Sequence, residues 1–358
     1  MTDPGERLRS SLAADQNSGV GADFDSPIAM EALRATRVLH AANQDPFPAP
    51  SRIRVITIAN QKGGVGKTTS TVNLGVALAL YGLRTLVIDL DPQGNASTAL
   101  GVDHTVGTPS IYDALVGDST LTEVVHPTTA TPNLRCVPAT IDLAGAEIEL
   151  VSVVAREHRL RRAIEAHISA LAPEERPHYV LIDCPPSLGL LTLNALVAGD
   201  EVLIPIQCEY YALEGLGQLL SNIDLVRAHL NPGITVRTIL LTMYDGRTKL
   251  ADQVADEVRN HFGELVLPAV IPRNVRVSEA PGYGQSVLTY DPGSRGSTSY
   301  VEAARQLAER GVNLPPVGVG PAPGPAGAPP VAALAVPEGT PIGIGAGGAH
   351  SARTQENS

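Results

Sequence analysis

The stretch from residue 53 to residue 69 reads IRVITIANQKGGVGKTT, and its pattern guides the interpretation of the rest of the chain. Residues 53–59 are mostly apolar and β-branched, which is typical of a buried strand. A glycine loop follows at 62–66, then Lys67, Thr68 and Thr69, and then a helical pattern from residue 70 to residue 80. A strand, a glycine loop, a Lys-Thr pair and a helix in this order predict a phosphate-binding loop.

The residue types of this loop suit phosphate chemistry. Glycines lack a Cβ atom, so their backbone N–H groups can approach phosphate oxygens closely. The Lys67 ammonium can reach the β- and γ-phosphates, and the Thr68 hydroxyl can coordinate Mg²⁺. The predicted nucleotide-binding residues of the loop are Lys62, Gly63, Gly64, Val65, Gly66, Lys67, Thr68 and Thr69. A chance glycine turn is the alternative, but all four features would then have to coincide. A dinucleotide site is not expected, because no G-x-G-x-x-G motif is present here.

Length and composition restrict the class of protein. The chain has 358 residues, of which 43% are hydrophobic, enough for one or two globular domains. No apolar run is long enough to span a bilayer, and the N-terminus lacks the apolar core of a signal peptide. The three cysteines are scattered without a CxxC motif, so neither a disulfide framework nor a zinc site is expected. We therefore expect an intracellular, reduced protein.

The charge distribution singles out the glycine loop. The formal net charge is −11, which argues against indiscriminate binding of nucleic acid but leaves room for a local basic patch. The chain has only three lysines, and two of them, Lys62 and Lys67, lie in the loop. A lysine ammonium acts as a compact point charge that a planar guanidinium does not imitate well.

Between residues 52 and 310, β-rich and helical patterns alternate. Strands are predicted at 53–59, 84–89, 134–138, 178–183, 201–206, 234–242, 266–271 and 286–289. Helices are predicted near 66–81, 141–170, 188–198, 213–230, 247–261 and 297–310. Such alternation predicts a single α/β domain in which helices cover both faces of a mostly parallel, twisted sheet. Together with the phosphate-binding loop, this architecture indicates a P-loop NTPase domain. Ligands of such sheets bind at the carboxyl ends of the strands, where the glycine loop falls.

The two ends of the chain differ from this middle part. Residues 1–51 are polar and broken, and they predict a flexible extension with one amphipathic helix from Pro27 to Ala42. This helix either docks on the core or acts as a partner-binding peptide. Residues 311–358 are rich in Pro, Gly and Ala and almost uncharged, which predicts a disordered tail. The tail contains no basic amphipathic helix of the kind that anchors a protein to a membrane.

Two further motifs place carboxylates at the ends of predicted strands. Residues 84–95 read RTLVIDLDPQGN and carry Asp89 and Asp91. Residues 178–189 read HYVLIDCPPSLG and carry Asp183. Carboxylates beside a phosphate-binding loop can hold Mg²⁺ or orient an attacking water, whereas a turn that ends a strand is the plainer explanation of each motif alone. Cys184 is expected to be a small packed residue rather than a nucleophile.

Taken in order, these motifs resemble the ParA/MinD family of deviant Walker A ATPases. Lys62 matches the additional lysine of that family, residues 84–95 resemble its Walker A′ motif and residues 178–189 its Walker B motif. Residues 202–216, 271–281 and 290–296 match the same family in the same order. The resemblance covers about residues 52–310. Within the family, the chain is similar to the ParA/Soj branch, which consists of chromosome-partitioning, DNA-segregation ATPases.

The resemblance implies a role for each site residue. The cofactors would be ATP and Mg²⁺, and the catalytic residues Lys62, Lys67 and Asp91, with Asp91 positioning and polarising the hydrolytic water. Thr68, Asp89 and Asp183 would form the metal shell, and Pro272 and Asn274 would lie near the adenine. Lys62 would reach the phosphates of the facing subunit, which makes ATP part of a homodimer interface.

The resemblance also implies DNA binding. Arg247, Lys249, Arg273 and Arg276 are the basic candidates, and the family contacts non-specific double-stranded DNA at positions that match Arg247 and Arg276. Residues 237–279 hold six basic and six acidic side chains, so an ordinary solvated surface stays open. A ParB-type centromere-binding protein would stimulate a slow intrinsic hydrolysis. The protein would be cytoplasmic and nucleoid-associated, without a membrane partner.

Three other functions remain open at the level of sequence. The first is a MinD-like or protein-cluster-positioning ATPase. The second is a reductase of the nitrogenase-iron-protein type, which needs cysteines that bridge two subunits through an iron–sulfur cluster. The third is a non-hydrolytic polar scaffold.

Overall fold

A computed structural model of the chain describes residues 27–41, 45–209 and 216–314. The first 26 residues and the tail from residue 315 lie outside the described residues, so the flexibility predicted for them stays a prediction. Among the described residues, no helix is both long and apolar enough to cross a membrane.

Eight strands form one sheet in the order β3-β4-β2-β5-β1-β6-β7-β8. The short edge strand β3 is antiparallel to β4, and all other pairs are parallel. The predicted, mostly parallel sheet is thereby confirmed. The strands are β1 Arg54–Ile58, β2 Thr85–Asp89, β3 His126–Pro127, β4 Leu134–Val137, β5 Tyr179–Asp183, β6 Glu201–Gln207, β7 Thr235–Tyr244 and β8 Val266–Pro272.

Helices cover both faces of this sheet, and each face has its own hydrophobic core. The central strands β1, β2 and β5 are rich in β-branched residues and are buried along their whole length. Such strands are expected in a parallel sheet that helices cover on both faces. The α-helices are α1 Pro27–Ala41, α2 Lys67–Leu80, α3 Asn95–Ala99, α4 Ile111–Leu115, α5 Leu143–Glu149, α6 Arg159–Ala170, α7 Leu190–Ala198, α8 Leu216–His229, α9 Lys249–Phe262, α10 Val275–Glu279, α11 Val287–Tyr290 and α12 Arg295–Glu309.

One predicted strand, 286–289, is wrong, because these residues form helix α11. The Ser286 side chain caps the helix by accepting a hydrogen bond from the Thr289 N–H group. The Val287 N–H group donates to Oδ1 of Asn73 on α2 at 2.9 Å. A short apolar run fits a strand or a helix equally well, and here the cap and the contact with α2 decide.

The long helix predicted at 141–170 is also wrong as one element. Helix α5 ends at Glu149, short 3₁₀ turns follow, and α6 begins at Arg159. Between them Ala155 has φ 52°, a left-handed conformation that no continuous α-helix contains. The short elements α3, α4, α10 and β3 were not predicted.

The predicted N-terminal helix is present as α1, and it docks on the core. Val38 on α1 is 4% exposed and belongs to the core cluster that also contains α12 residues. Phe47, in the segment after α1, stacks on Tyr81 with ring centroids 4.2 Å apart. Burial of such side chains is worth about 1.5–3 kcal/mol each, which supports a docked helix rather than a free peptide.

Candidate nucleotide-binding site

Three adjacent strands bring the three motifs to one edge of the sheet. In the parallel register, Asp183 at the end of β5 lies beside Ile58 at the end of β1 on one side. On the other side it lies beside Asp89 at the end of β2. The glycine loop leaves β1 at this same edge, so the predicted loop and the carboxylates of Asp89 and Asp183 converge.

The glycine loop has an open, braced conformation. Gly64 and Gly66 adopt φ of 73° and 90°, values that favour glycine, and an added Cβ at Gly63 or Gly64 would meet nothing within 4 Å. Oδ1 of Asn60 accepts a hydrogen bond from the Lys62 N–H group at 3.0 Å. On the other side the Thr242 hydroxyl donates to the Val65 carbonyl at 2.8 Å. The backbone of the loop is therefore held by Asn60, just after β1, and by Thr242 on β7.

The two loop lysines differ in their surroundings. Lys67 is 6% exposed, and its Nζ donates to the Lys62 carbonyl at 3.1 Å. Burial lowers the pKa of Lys67, and the nearby Asp183 and Asp91 oppose that shift. The Lys62 side chain is half-buried and makes no ion pair with any of the described residues. The Lys67 side chain is thus directed into its own loop. The Lys62 ammonium group has no carboxylate partner among the described residues and can contact a further anion.

Asp183 is a fully buried carboxylate with spare bonding capacity. Its Oδ1 accepts a 2.9 Å hydrogen bond from the Thr71 hydroxyl, one turn into α2. Its Oδ2 is buried and has no hydrogen-bond partner among the described residues. Burial, together with the charge of Asp89, raises the pKa of Asp183, while Thr68 and Thr71 lower it. A cation beside Oδ2 would satisfy this oxygen and favour its ionised form.

The residues present fit a magnesium ion whose ligands come partly from the protein and partly from a bound nucleotide. Among the described residues, no group of three or more His, Cys, Asp or Glu side chains is arranged to hold a metal alone. Mg²⁺ in nucleotide sites commonly takes one or two protein oxygens and completes its shell with phosphates and water. Thr68 and Asp183 supply that kind of partial set.

Asp89 and Asp91 have different surroundings although only one residue separates them. Oδ1 of Asp89 accepts from the Asp91 N–H group at 3.1 Å, and its Oδ2 accepts from the N–H and hydroxyl groups of Ser97. Burial raises the pKa of Asp89 to about 6, against the effect of these hydrogen bonds. Asp91 is 8% exposed, and its Oδ1 accepts from the Gln93 N–H group at 3.0 Å. The structure thus engages both oxygens of Asp89 in bracing the loop that carries Asp91.

Four bracing residues were missed by the sequence analysis: Asn60, Thr71, Ser97 and Thr242. Thr71 lies four residues after Lys67, on the same face of α2, so helical spacing could have found it. The bonds of Ser97 and Thr242 depend on tertiary contacts, which sequence spacing does not reveal.

The predicted adenine contacts lie at the same edge but farther along the sheet. Pro272 ends β8, which β6 and β7 separate from β1. Oδ1 of Asn274 accepts from the Arg276 N–H group at 2.8 Å and thereby caps α10. No hydrogen bond joins either residue to the glycine loop within the described part of the chain.

The basic candidates cluster around the ends of β7 and β8. Arg247 pairs with Asp245 at 2.8 Å, Arg273 with Glu209 at 3.1 Å, and Arg276 with Glu279 at 3.0 Å. Lys249 is exposed and makes no ion pair with the described residues. Exposed pairs of this kind contribute only about 0.2–1 kcal/mol, so a phosphate could replace the carboxylate partner.

This fold and this site define a P-loop nucleotide-binding protein. A family model described as an AAA domain matches residues 53–236. The sporulation initiation inhibitor protein Soj of Bacillus subtilis is 52% identical over 258 residues, which cover 72% of this chain and 99% of Soj. The chromosome partitioning protein ParA of Caulobacter vibrioides is 52% identical over 258 residues, covering 72% of this chain and 95% of ParA.

The chain belongs to the ParA/Soj family of chromosome-partitioning ATPases. A solved structure agrees with this placement at the level of the fold. The crystal structure of cobyrinic acid a,c-diamide synthase from Mycobacterium smegmatis, with a bound ATP analog and magnesium, is 37% identical and superposes with a TM-score of 0.61. The match covers 72% of this chain and 95% of that one.

Proposed function

We propose that this protein is an ATP-dependent DNA-segregation ATPase whose residues 52–310 form the ATPase domain. One observation carries the proposal. Lys67, Asp91 and Asp183 meet at one edge of the sheet, and the additional lysine Lys62 lies beside them without an ion pair among the described residues. The usual phosphate-binding loop has one lysine, here Lys67. The additional lysine is the mark of the family that this chain resembles, and we propose that it serves a nucleotide shared between subunits.

The ligands of the site are ATP and Mg²⁺. Residues 63–69 surround the phosphates with backbone N–H groups at the start of α2, where the helix dipole also favours negative charge. Thr68 and Asp183 would hold the metal, and Oδ2 of Asp183, which has no hydrogen-bond partner among the described residues, supports this role. Bound Mg²⁺ supplies positive charge that offsets the charge on the phosphate oxygens.

Asp91 is the proposed group that orients the attacking water. Its Oδ1 is already occupied by the Gln93 N–H group, which leaves Oδ2 to accept from a water. Asp89 is a positioning residue, because its oxygens bond the backbone of Asp91 and both donors of Ser97. Lys67 stabilises charge that develops on the phosphate oxygens, at a buried position where such an interaction is strong.

The ATP-bound homodimer is the proposed DNA-binding species. Lys62 contacts the phosphates of the facing subunit and so makes dimerisation depend on ATP. Arg247, Lys249, Arg273 and Arg276 contact phosphates of duplex DNA without reading its sequence. Two subunits double the number of phosphate contacts, and affinity rises steeply with that number. Pro272 and Asn274 lie near the adenine.

The proposed cycle ends with hydrolysis. A ParB-type partner accelerates a slow intrinsic reaction, and the dimer separates and leaves DNA. Such a cycle would keep the protein associated with the nucleoid while ATP is bound. Membership of the ParA/Soj family supports this cycle over a MinD-like or cluster-positioning role or a non-hydrolytic scaffold.

The substitution Asp91→Ala tests the proposal. We expect this variant to bind ATP, to dimerise and to stay on DNA, because only water activation is removed. Hydrolysis at the wild-type rate would remove Asp91 from the water-positioning role. If the trapped dimer pelleted with liposomes and ignored DNA, the MinD-like alternative would replace the proposal.

A further inference from the structure

A cleft of about 440 Å³ lies between helix α1 and the start of α12. Its charged lining comes from three segments: Glu31 and Arg34 on α1, Arg276 and Asp291 near α10 and α11, and Arg295 at the start of α12. The cleft thus connects Arg276, one of the proposed DNA contacts, with helix α1 in the N-terminal segment. Helix α1 precedes residue 53, where the match to the family model begins.

Helix α1 is seated in a defined position beside this cleft. An added Cβ at Gly293 would lie 2.5 Å from the Glu31 carbonyl oxygen, so the two backbones approach closely only because residue 293 is glycine. Val38, farther along α1, is 4% exposed in the core. A close backbone approach at one end and a buried anchor at the other hold Arg34 next to α12.

The ion pairs around the cleft leave two of its three arginines available for an anion. Arg276 pairs with Glu279 at 3.0 Å and with Asp291 at 3.3 Å. Arg34 and Arg295 make no ion pair with the described residues, and Arg295 is exposed. Two guanidinium groups therefore have donors left for a phosphate, which guanidinium binds well in a bidentate manner.

We propose that this cleft binds the phosphate backbone of duplex DNA and extends the DNA-contacting surface from Arg276 to Arg34 and Arg295. The inference rests on the proposed DNA-binding function. An inhibitory cover over Arg276 is less consistent with the structure, because the Arg276 side chain remains 54% exposed while α1 is docked. Helix α1 adds charge to this surface without closing it.

The test is the salt dependence of binding to a non-specific duplex in the presence of ATP. Each lost phosphate contact lowers the slope of log K against log salt by about 0.9. We expect Arg34→Glu and Arg295→Glu each to lower the slope by about that amount per subunit, whereas Arg34→Lys keeps the wild-type slope. Arg161→Glu on α6 is the matched control, since Arg161 is 40% exposed and pairs only with Glu165.

Gly293→Ala provides a variant without a change of charge. It should displace α1 and weaken DNA binding as Arg34→Glu does, and melting curves of all variants report whether the core stays folded.

Wild-type slopes for Arg34→Glu and Arg295→Glu, with a reduced slope for Arg276→Glu, would overturn the cleft and leave the proposed function intact. Tighter DNA binding by Arg34→Glu or Gly293→Ala would show a covering role and overturn the inference. A wild-type slope for Arg276→Glu as well would instead remove the proposed DNA surface.

Discussion

Ser97 donates two hydrogen bonds to the same carboxylate oxygen of Asp89, from its backbone N–H group at 2.9 Å and from its hydroxyl at 2.7 Å. The Ser97 hydroxyl in turn accepts from the Ala139 N–H group at 3.1 Å. The other oxygen of Asp89 accepts from the Asp91 N–H group. The position of the proposed water-orienting carboxylate therefore depends on a buried serine six residues along the chain.

Ser97→Ala should slow hydrolysis while leaving ATP binding nearly unchanged. Loss of the hydroxyl removes one bond to Asp89 and the acceptor for Ala139, so Asp91 is held less firmly. A displacement of about 1 Å can cost about 100-fold in rate, and single-turnover hydrolysis measures this effect. Ser152→Ala, whose exposed hydroxyl bonds only the Glu149 carbonyl, is the control. A wild-type rate for Ser97→Ala would exclude the positioning role.

The two loop lysines should separate nucleotide binding from dimerisation. Lys67→Ala should abolish ATP binding, since Lys67 lies buried within its own loop. Lys62→Ala should retain ATP binding but lose the ATP-dependent dimer, because Lys62 is proposed to contact the phosphates of the facing subunit. Lys62 has no ion pair among the described residues that would prevent this contact. Calorimetry and size-exclusion chromatography with ATP measure the two properties, and each variant serves as the control for the other. A dimer formed by Lys62→Ala would contradict the shared-phosphate role.

Thr71→Val should raise the Mg²⁺ concentration needed for tight nucleotide binding. The Thr71 hydroxyl donates to Oδ1 of Asp183 and lowers its pKa, so its loss makes the ionised form of Asp183 less favourable. Loss of this buried bond should also cost about 1–3 kcal/mol in the free energy of unfolding. Thr85→Val is the matched control, because the buried Thr85 hydroxyl at the start of β2 bonds the Leu83 carbonyl and not Asp183. Equal Mg²⁺ dependence in both variants would refute the role of Thr71.

The three cysteines should not react with a thiol reagent in the folded protein. Cys136, Cys184 and Cys208 are buried, and burial raises the pKa of each thiol, in the case of Cys208 to about 11. A thiol with a raised pKa forms little of the reactive thiolate at neutral pH. Reaction with Ellman's reagent should need denaturant. Rapid labelling, or a coloured protein carrying iron, would instead favour the reductase alternative.

Much of the fold and the centre of the site could be predicted because local patterns determine them. Strands β1, β2 and β5 are short, β-branched runs that end at a glycine loop or an aspartate, and their parallel order places those ends together. The break at Ala155 and the helix at 287–290 could not be predicted in the same way. They depend on a left-handed residue and on a contact with Asn73 from a distant helix.

The bracing role of Ser97 and the close seating of α1 against Gly293 could not be predicted from the sequence, for a similar reason. Ser97 acts through Asp89, and Gly293 acts by admitting the backbone of Glu31. Neither contact has a characteristic spacing in the chain, because the partners meet only after the sheet and its helices have assembled.

The most direct test of the central claim is binding of the wild-type protein to a non-specific DNA duplex at fixed, moderate salt, with ATP, with ADP and without nucleotide. The account predicts binding with ATP and little binding in the other two states, since only the ATP-bound dimer presents two sets of basic residues side by side. Equal binding in all three states would contradict the nucleotide switch. Absence of binding in all three would contradict the DNA-segregation function itself.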